Sequence, residues 1–289
     1  MALRWRLEDG ILTSITFLGT GGGRFATIYQ IRATGGIYIN DGARVHLDPG
    51  PTALMNMRRL ALDPAKTDAV LISHCHPDHY ADAEMIIEGM TKGGFKRTGT
   101  LVGSVSALDG TNGFSPAISG YHQSITSSIV RAVPGMSFEV QGMKIEATPT
   151  SHSDPTGVGF RFHTSNGIVS YVGDTELHEN IIPAHRGCRV LILNLTRPLG
   201  SRVPKHLCTE DAAEMAAALR PEVVLLTHLG MKLVHEGVQR QAERIERASG
   251  CRTIAAEDLM TVQVGRTIRT ARSKGWEIIE DAGPVDLDR

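Results

Sequence analysis

Apolar residues along this chain fall mostly into short runs, bounded by Gly, Pro or Asp. Such runs read as strands when they are β-rich and end on turn signals. In the first part of the chain, Ile11–Leu18, Ala26–Ala33, Gly36–Asn40 and Arg44–Leu47 are predicted strands with Gly-rich turns between them, at the spacing of a meander. A helix follows over Thr52–Leu62, then a buried strand over Asp68–Ser73 and a short strand at Leu101–Gly103. The stretch Ser104–Ser128 is dense in Ser, Thr and Gly and shows no period, as a lid or a long surface excursion would.

The pattern then repeats. Ser137–Val140 and Met143–Ala147 are predicted strands, Gly157–His163 and Ile168–Val172 a hairpin, and Arg189–Leu195 and Glu222–Leu226 buried strands. Ala212, Met215, Ala216 and Leu219 form one stripe of a helix over Thr209–Leu219, and Val238, Ala242 and Ile245 recur at helical spacing in the next. Thr253–Ala256 and Met260–Val264 close the sheet. Each half therefore presents strands first and a helix after, which suits two sheets with helices outside. No Pro-rich or charged linker interrupts the sequence, so residues 1–289 are expected to form a single domain of two similar halves, about 1–135 and 136–289.

The chemistry concentrates in Ser73-His74-Cys75-His76-Pro77-Asp78-His79, directly after a buried strand. A packed face wants apolar atoms, and a solvated turn rarely carries three imidazoles. Imidazole and carboxylate are the nitrogen and oxygen ligands of zinc, and open sites built from them activate water. In extended chain His74 and His76 point one way and Cys75 the other. Pro77 turns the chain, and Asp78 and His79 lie at the start of a helix running through Ala81–Ile87. Two ligands facing each way suit two adjacent metals better than one.

His152, Asp174 and His228 also sit just past predicted strands, where loops gather on one sheet edge. Together the seven residues can give His74, His76 and His152 to one ion and Asp78, His79 and His228 to the other. Asp174 would bridge, with the ions roughly 3.5–4 Å apart. Asp154, Glu176 and the pair Glu257–Asp258 are candidates for orienting the imidazoles, and His122 for touching substrate. His46, His163, His178, His185 and His235 read as surface. Gly19-Thr20-Gly21-Gly22-Gly23 reads as a turn, because no Gly-Lys-Ser/Thr follows it.

Composition narrows the setting. Lys and Arg number 30 against 31 Asp and Glu, which excludes a global basic field for nucleic acid but not a local patch. Four scattered cysteines without a CxxC pair imply a reducing compartment and no disulfide framework. No apolar run approaches the ~20 residues of a bilayer span, and the N-terminal Met1–Arg6 does not lead into a signal h-region. A soluble cytoplasmic protein, away from membranes, is expected.

His-x-His-x-Asp-His, a distant His, an Asp in Gly173-Asp174-Thr175 and a final His after a buried strand resemble the metallo-β-lactamase superfamily, from Ile11 to about Val264. The resemblance implies an α/β fold, the αββα four-layer sandwich, with a dinuclear site at one edge. Phe17–Gly22, Gly173–Thr175 and Leu225–His228 are most similar to the RNase Z-like branch, whose members cleave phosphodiesters. It implies two divalent ions, Zn²⁺ first and Mn²⁺ or Fe²⁺ as alternatives, and a homodimer. His206, before Thr209 and an Ala-rich helix, resembles that branch's His-x-Thr but with one residue more. Its role is therefore open between general acid and helix-start or surface residue.

Asp78 and His206 are the candidate catalytic residues. His152 and Asp174 are only 22 residues apart, without room for the long tRNA-gripping arm, so the expected substrate is a small-molecule or short nucleic-acid phosphodiester rather than precursor tRNA. The expected reaction is attack of a metal-bound hydroxide on phosphorus. Hydrolysis of a carboxylic ester, lactone or thioester on the same site is the alternative, ahead of iron redox chemistry or non-catalytic metal binding.

Overall fold

The computed structural model describes residues 12–111 and 113–272. The N-terminal Met1–Arg6 reading and Ile11 lie outside them. In chain order the elements begin β1 (Thr13–Phe17), α1 (Arg24–Tyr29), β2 (Ile37–Asp41), β3 (Ala43–Leu47), α2 (Ala53–Arg59), β4 (Ala69–Ile72), α3 (Pro77–Tyr80) and α4 (Ala83–Met90). Next come β5 (Thr100–Ser104), α5 (Val105–Asp109), α6 (Gly120–Ser124), β6 (Ser128–Ala132), β7 (Ser137–Val140), β8 (Met143–Pro149), β9 (Val158–Thr164) and β10 (Gly167–Tyr171). The last group is α7 (Ile181–Ala184), β11 (Val190–Arg197), β12 (Leu207–Cys208), α8 (Thr209–Leu219), β13 (Val223–Thr227), α9 (Met231–Glu236), α10 (Val238–Ser249), β14 (Thr253–Ala255), β15 (Thr261–Val264) and β16 (Ile268–Ala271).

Two sheets result. One runs β16-β15-β1-β2-β3-β4-β5-β6; the other runs β14-β13-β11-β10-β9-β8-β7, with β12 beside β11. In each, an antiparallel part gives way to a parallel part, at β3–β4 and at β10–β11. The parallel strands are buried on both faces, which is why they read as unbroken apolar runs. In β4, Ala69 and Leu71 enter the core between the sheets, whereas Val70 and Ile72 pack under α2 and α4. In β13, Val223 and Leu225 face the same central core, and Val224 and Leu226 face α8 and α10. Helices thus cover both outer faces, giving the αββα sandwich. The predicted stripes Ala212-Met215-Ala216-Leu219 and Val238-Ala242-Ile245 both lie in the outer core of the second sheet.

Three expectations are corrected. Ala26–Ala33 is not a strand: residues 24–29 form α1, because β1 already has partners on both edges, β2 and β15. Thr253–Ala256 and Met260–Val264 do not close one sheet; β14 joins the second, but β15 and β16 return to the first, so the sheets do not divide at residue 135. The helix expected through Ala81–Ile87 is two helices, α3 and α4, with Asp82 accepting from the Leu54 amide at 3.2 Å beside the joint. The unassigned Ser104–Ser128 stretch carries α5 and α6, each started by a serine, Ser104 and Ser119, whose side chain caps it. Among the described residues, no helix is long and apolar enough to cross a membrane, and all four cysteines are unpaired and buried.

His46 and His185, expected at the surface, are completely buried. His46 bonds the Gly35 carbonyl through Nε2 at 2.9 Å, and burial pushes its pKa from 6.5 down to about 4. Between those values the unfolded chain takes up a proton that the folded chain refuses, so stability falls as pH falls through that window. The loss by pH 4 is up to about 3 kcal/mol. Denaturant melts of the native chain and His46→Gln from pH 7 to 4 should show a shallower pH slope in the variant.

Candidate metal centre

The seven predicted ligands come from loops at the C-terminal ends of four strands. His74 and His76 follow β4, and Pro77 then starts α3, which carries Asp78 and His79. His152 follows β8, Asp174 follows β10 and His228 follows β13. His228 has a left-handed backbone (φ 52°). The glycine turn lies against it, with Leu229 N donating to Thr20 O at 2.7 Å. A Cβ on Gly22 would lie 2.1 Å from the His228 ring, so only glycine allows this approach.

The side chains converge. His76 Nδ1 lies 2.9 Å from His74 Nε2 and 3.2 Å from His152 Nε2. Across the site, His228 Nε2 lies 3.3 Å from Asp78 Oδ2, and His79 Nε2 lies 3.8 Å from the same oxygen. Asp174 Oδ2 sits between the two groups, 3.2 Å from His228 Nε2 and 3.8 Å from both His79 Nε2 and His152 Nε2. The ligand atoms of His74, His76 and His152 lie within 4.8 Å of one another, as do those of Asp78, His79 and His228.

The residues fit a cation. His79 Nε2 is buried with no hydrogen-bond partner, facing two carboxylates. His79 Nδ1 meets Asp48 Oδ2 at 2.9 Å and His152 Nδ1 meets the Lys205 carbonyl at 2.9 Å. Both partners only accept, so each Nδ1 donates and each Nε2 is left to offer its lone pair to an ion. His74 Nδ1 lies 3.0 Å from Ser73 Oγ, whose own hydrogen goes to Asp48, and His228 Nδ1 lies 3.1 Å from Thr196 Oγ1. Without an ion, burial works against charge on His79, but Asp48 and Asp78 outweigh it and raise its pKa to about 10. The same balance holds Asp174 well below the usual carboxylate range: burial opposes, while His228 and His79 prevail.

His206 stands beside this cluster, its Nδ1 3.8 Å from Asp174 Oδ2 and 3.3 Å from Thr196 Oγ1. Burial is the main cause that brings its pKa from 6.5 to about 4. Cys75 points away and contacts the Ser115 carbonyl. The candidates for orienting imidazoles act elsewhere. Asp154 ties down Cys75 N, Thr156 and Ser106. Glu176 binds Lys205 Nζ at 2.8 Å, and so steadies the residue whose carbonyl holds His152. Asp258 grips Thr20 and the Ala33 amide, fixing the glycine turn, and Glu257 pairs with Arg272. His122 pairs with Glu84 and Glu88.

Asp48 was not anticipated. It accepts from Ser73 N and Ser73 Oγ at 2.7 Å each, from Tyr171 OH at 2.7 Å and from His79. Its signal was present, since it directly follows the buried run of β3 as His152, Asp174 and His228 follow theirs. Asn194, which donates to Asp174 Oδ1 at 2.7 Å, lies inside an apolar strand and gave no such signal. Asp48→Asn should weaken metal binding roughly 10- to 100-fold and lower the melting temperature while the chain still folds, as measured by competition with a chromogenic chelator and by thermal melts followed by circular dichroism.

A cleft of about 680 Å³ opens on His76, Asp78, His152 and Asp174, and His206, Arg24, Arg197 and Lys232 also line it. A protein of Methanocaldococcus jannaschii is 41% identical over 245 residues, covering 84% of this chain and 91% of its own length. A protein of Methanopyrus kandleri named as a metal-dependent hydrolase is 29% identical, over 66% of this chain and 78% of its own. Among solved structures, the metallo-beta-lactamase fold protein YhfI of Bacillus subtilis aligns with a TM-score of 0.72 at 20% identity, over 88% of this chain and 99% of YhfI. A diphosphatase of the PhnP family aligns at 0.64 and 19% identity, over 88% and 98%. Residues 43–229 match the family model described as the beta-lactamase superfamily domain, and the chain belongs to that superfamily.

Proposed function

We propose that this protein is a metal-dependent hydrolase of phosphodiester bonds. The observation that carries the reading is the charge of the cleft: Arg24, Arg197 and Lys232 line the space in front of the His/Asp cluster. Cationic side chains beside a metal centre suit a substrate that is anionic before reaction and gains negative charge on phosphorus during it. A neutral ester or lactone has no such need. The hydrolase named in Methanopyrus kandleri and the PhnP-family diphosphatase are consistent with it.

Two divalent ions, with zinc the first choice, would be held by His74, His76 and His152 and by Asp78, His79 and His228, with Asp174 between. Bound there, they would supply an acidified water and neutralise charge on the phosphoryl oxygens. The chain's own groups do the rest. The three cations orient the diester, and His206 gives a proton to the departing oxygen. Burial keeps His206 neutral at pH 7, and a phosphate oxygen beside it favours the protonated form. Between His152 and Asp174 the chain forms the hairpin of β9 and β10, with no long arm in that segment.

Aryl phosphodiesters with leaving phenols of increasing basicity test this assignment with metal-loaded protein. His206→Ala should cost little with p-nitrophenolate, which leaves without help, and roughly 10²- to 10⁴-fold with a strongly basic leaving oxygen. A loss independent of the leaving group would remove His206 as the acid. Faster turnover of carboxylic esters than of any diester would remove the phosphodiesterase reading.

A further inference from the structure

Helix α1 is unusual for its exposure. Phe25 is 61% and Ile28 63% exposed, and Ala26 is the helix's one buried residue. Folding therefore does not account for the apolar side chains, which lie three residues apart on one helical face. Residues 24–28 of the helix line the cleft. Arg24, Phe25 and Ile28 line the same space as Asp78, Asp174 and His206. Met231, at the start of α9, adds a further apolar group, next to Lys232.

The start of α1 is tied to two of the candidate ligands. The residue before the helix, Gly23, donates its amide to Asp78 Oδ2 at 3.0 Å and to His228 Nε2 at 3.2 Å. The Phe25 backbone is thus two residues from an amide in contact with two ligands. Behind it, Asp258 holds the glycine turn through Thr20 N at 2.9 Å and Thr20 Oγ1 at 2.6 Å. An ester arm on a phosphoryl group seated at the centre has this wall within reach.

Resting on the phosphodiesterase reading, we infer that Phe25 and Ile28 determine specificity, and that the substrate is a phosphodiester carrying a bulky apolar or aromatic arm beside the scissile phosphate. The cations take the phosphoryl oxygens and α1 takes the arm. Burying the ring of an aryl arm, in place of a methyl group, strengthens binding by roughly tenfold at ordinary apolar transfer energies. A diester with a glycerol-like arm gains nothing from this wall and leaves Phe25 and Ile28 in water.

Calorimetry with metal-loaded protein tests this with phenylphosphonate and methylphosphonate, two anions that differ only in the arm. Phenylphosphonate should bind roughly tenfold tighter. Phe25→Ala should bring the ratio towards one, whereas Tyr29→Ala, on the same helix but outside the cleft lining, should keep it. Equal affinities in the native chain, or a ratio that survives Phe25→Ala, overturn the inference. So does a native dimer that Phe25→Ala converts to monomer without any arm preference, because a second copy would then cover α1. Turnover of p-nitrophenyl phenyl phosphate and methyl p-nitrophenyl phosphate separates the two proposals. Turnover of both at equal efficiency overturns the apolar wall alone. An intact binding preference with no diester turnover supports the apolar wall and overturns the phosphodiesterase reading, and with it the phosphodiester substrate.

Discussion

The Asp48 carboxylate is buried and must find donors, and the donors it finds join both sheets at the site. It lies at the end of β3 and takes the Ser73 amide and hydroxyl at the end of β4, His79 from α3 and the Tyr171 hydroxyl from β10. Tyr171 in turn accepts from Asn194 on β11 at 2.9 Å, and the same Asn194 amide reaches Asp174. Leaving such a carboxylate without partners in the interior would cost several kcal/mol. Satisfying it sets the spacing of the two sheets where the ligands emerge. It also fixes the tautomer of His79 and, through Asn194, the orientation of Asp174. The ligand geometry is therefore a property of the sandwich edge rather than of the loops alone.

Packing explains why that edge can be so polar. The central core is built from the inward residues of both sheets, and the two outer cores from the alternate residues of the same strands under helices. In β4 and β13 the apolar run reaches almost to the strand end and the chemistry begins just beyond, whereas β11 carries Asn194 and Thr196 into the site from within the strand. The glycine turn completes the wall. Gly22 has no side chain to hold off His228, and Gly23 supplies the amide that touches two ligands.

Much of this was legible in the sequence, for physical reasons. Buried parallel strands announce themselves as continuous apolar runs, and α8 and α10 as stripes, because each residue's face is settled locally. The convergence of the candidate ligands was legible because polar residues immediately after such runs have few other uses. What could not be read depends on distant partners. Phe25, Ile28 and Tyr29 favour strands, yet α1 is helical because β15, more than 200 residues later, occupies the edge of β1. His46 and His185 look like surface residues until the sheet and α7 close over them. Asp154 and Asp258 were expected to orient imidazoles, but they hold a loop and a glycine turn instead, which shows only in three dimensions.

Anomalous diffraction from crystals grown with zinc tests the central claim, that one edge of the sandwich holds a two-metal centre. Two peaks should appear roughly 3.5–4 Å apart, one among His74, His76 and His152 and one among Asp78, His79 and His228, with Asp174 between. A single peak, or zinc bound away from these side chains, would contradict it.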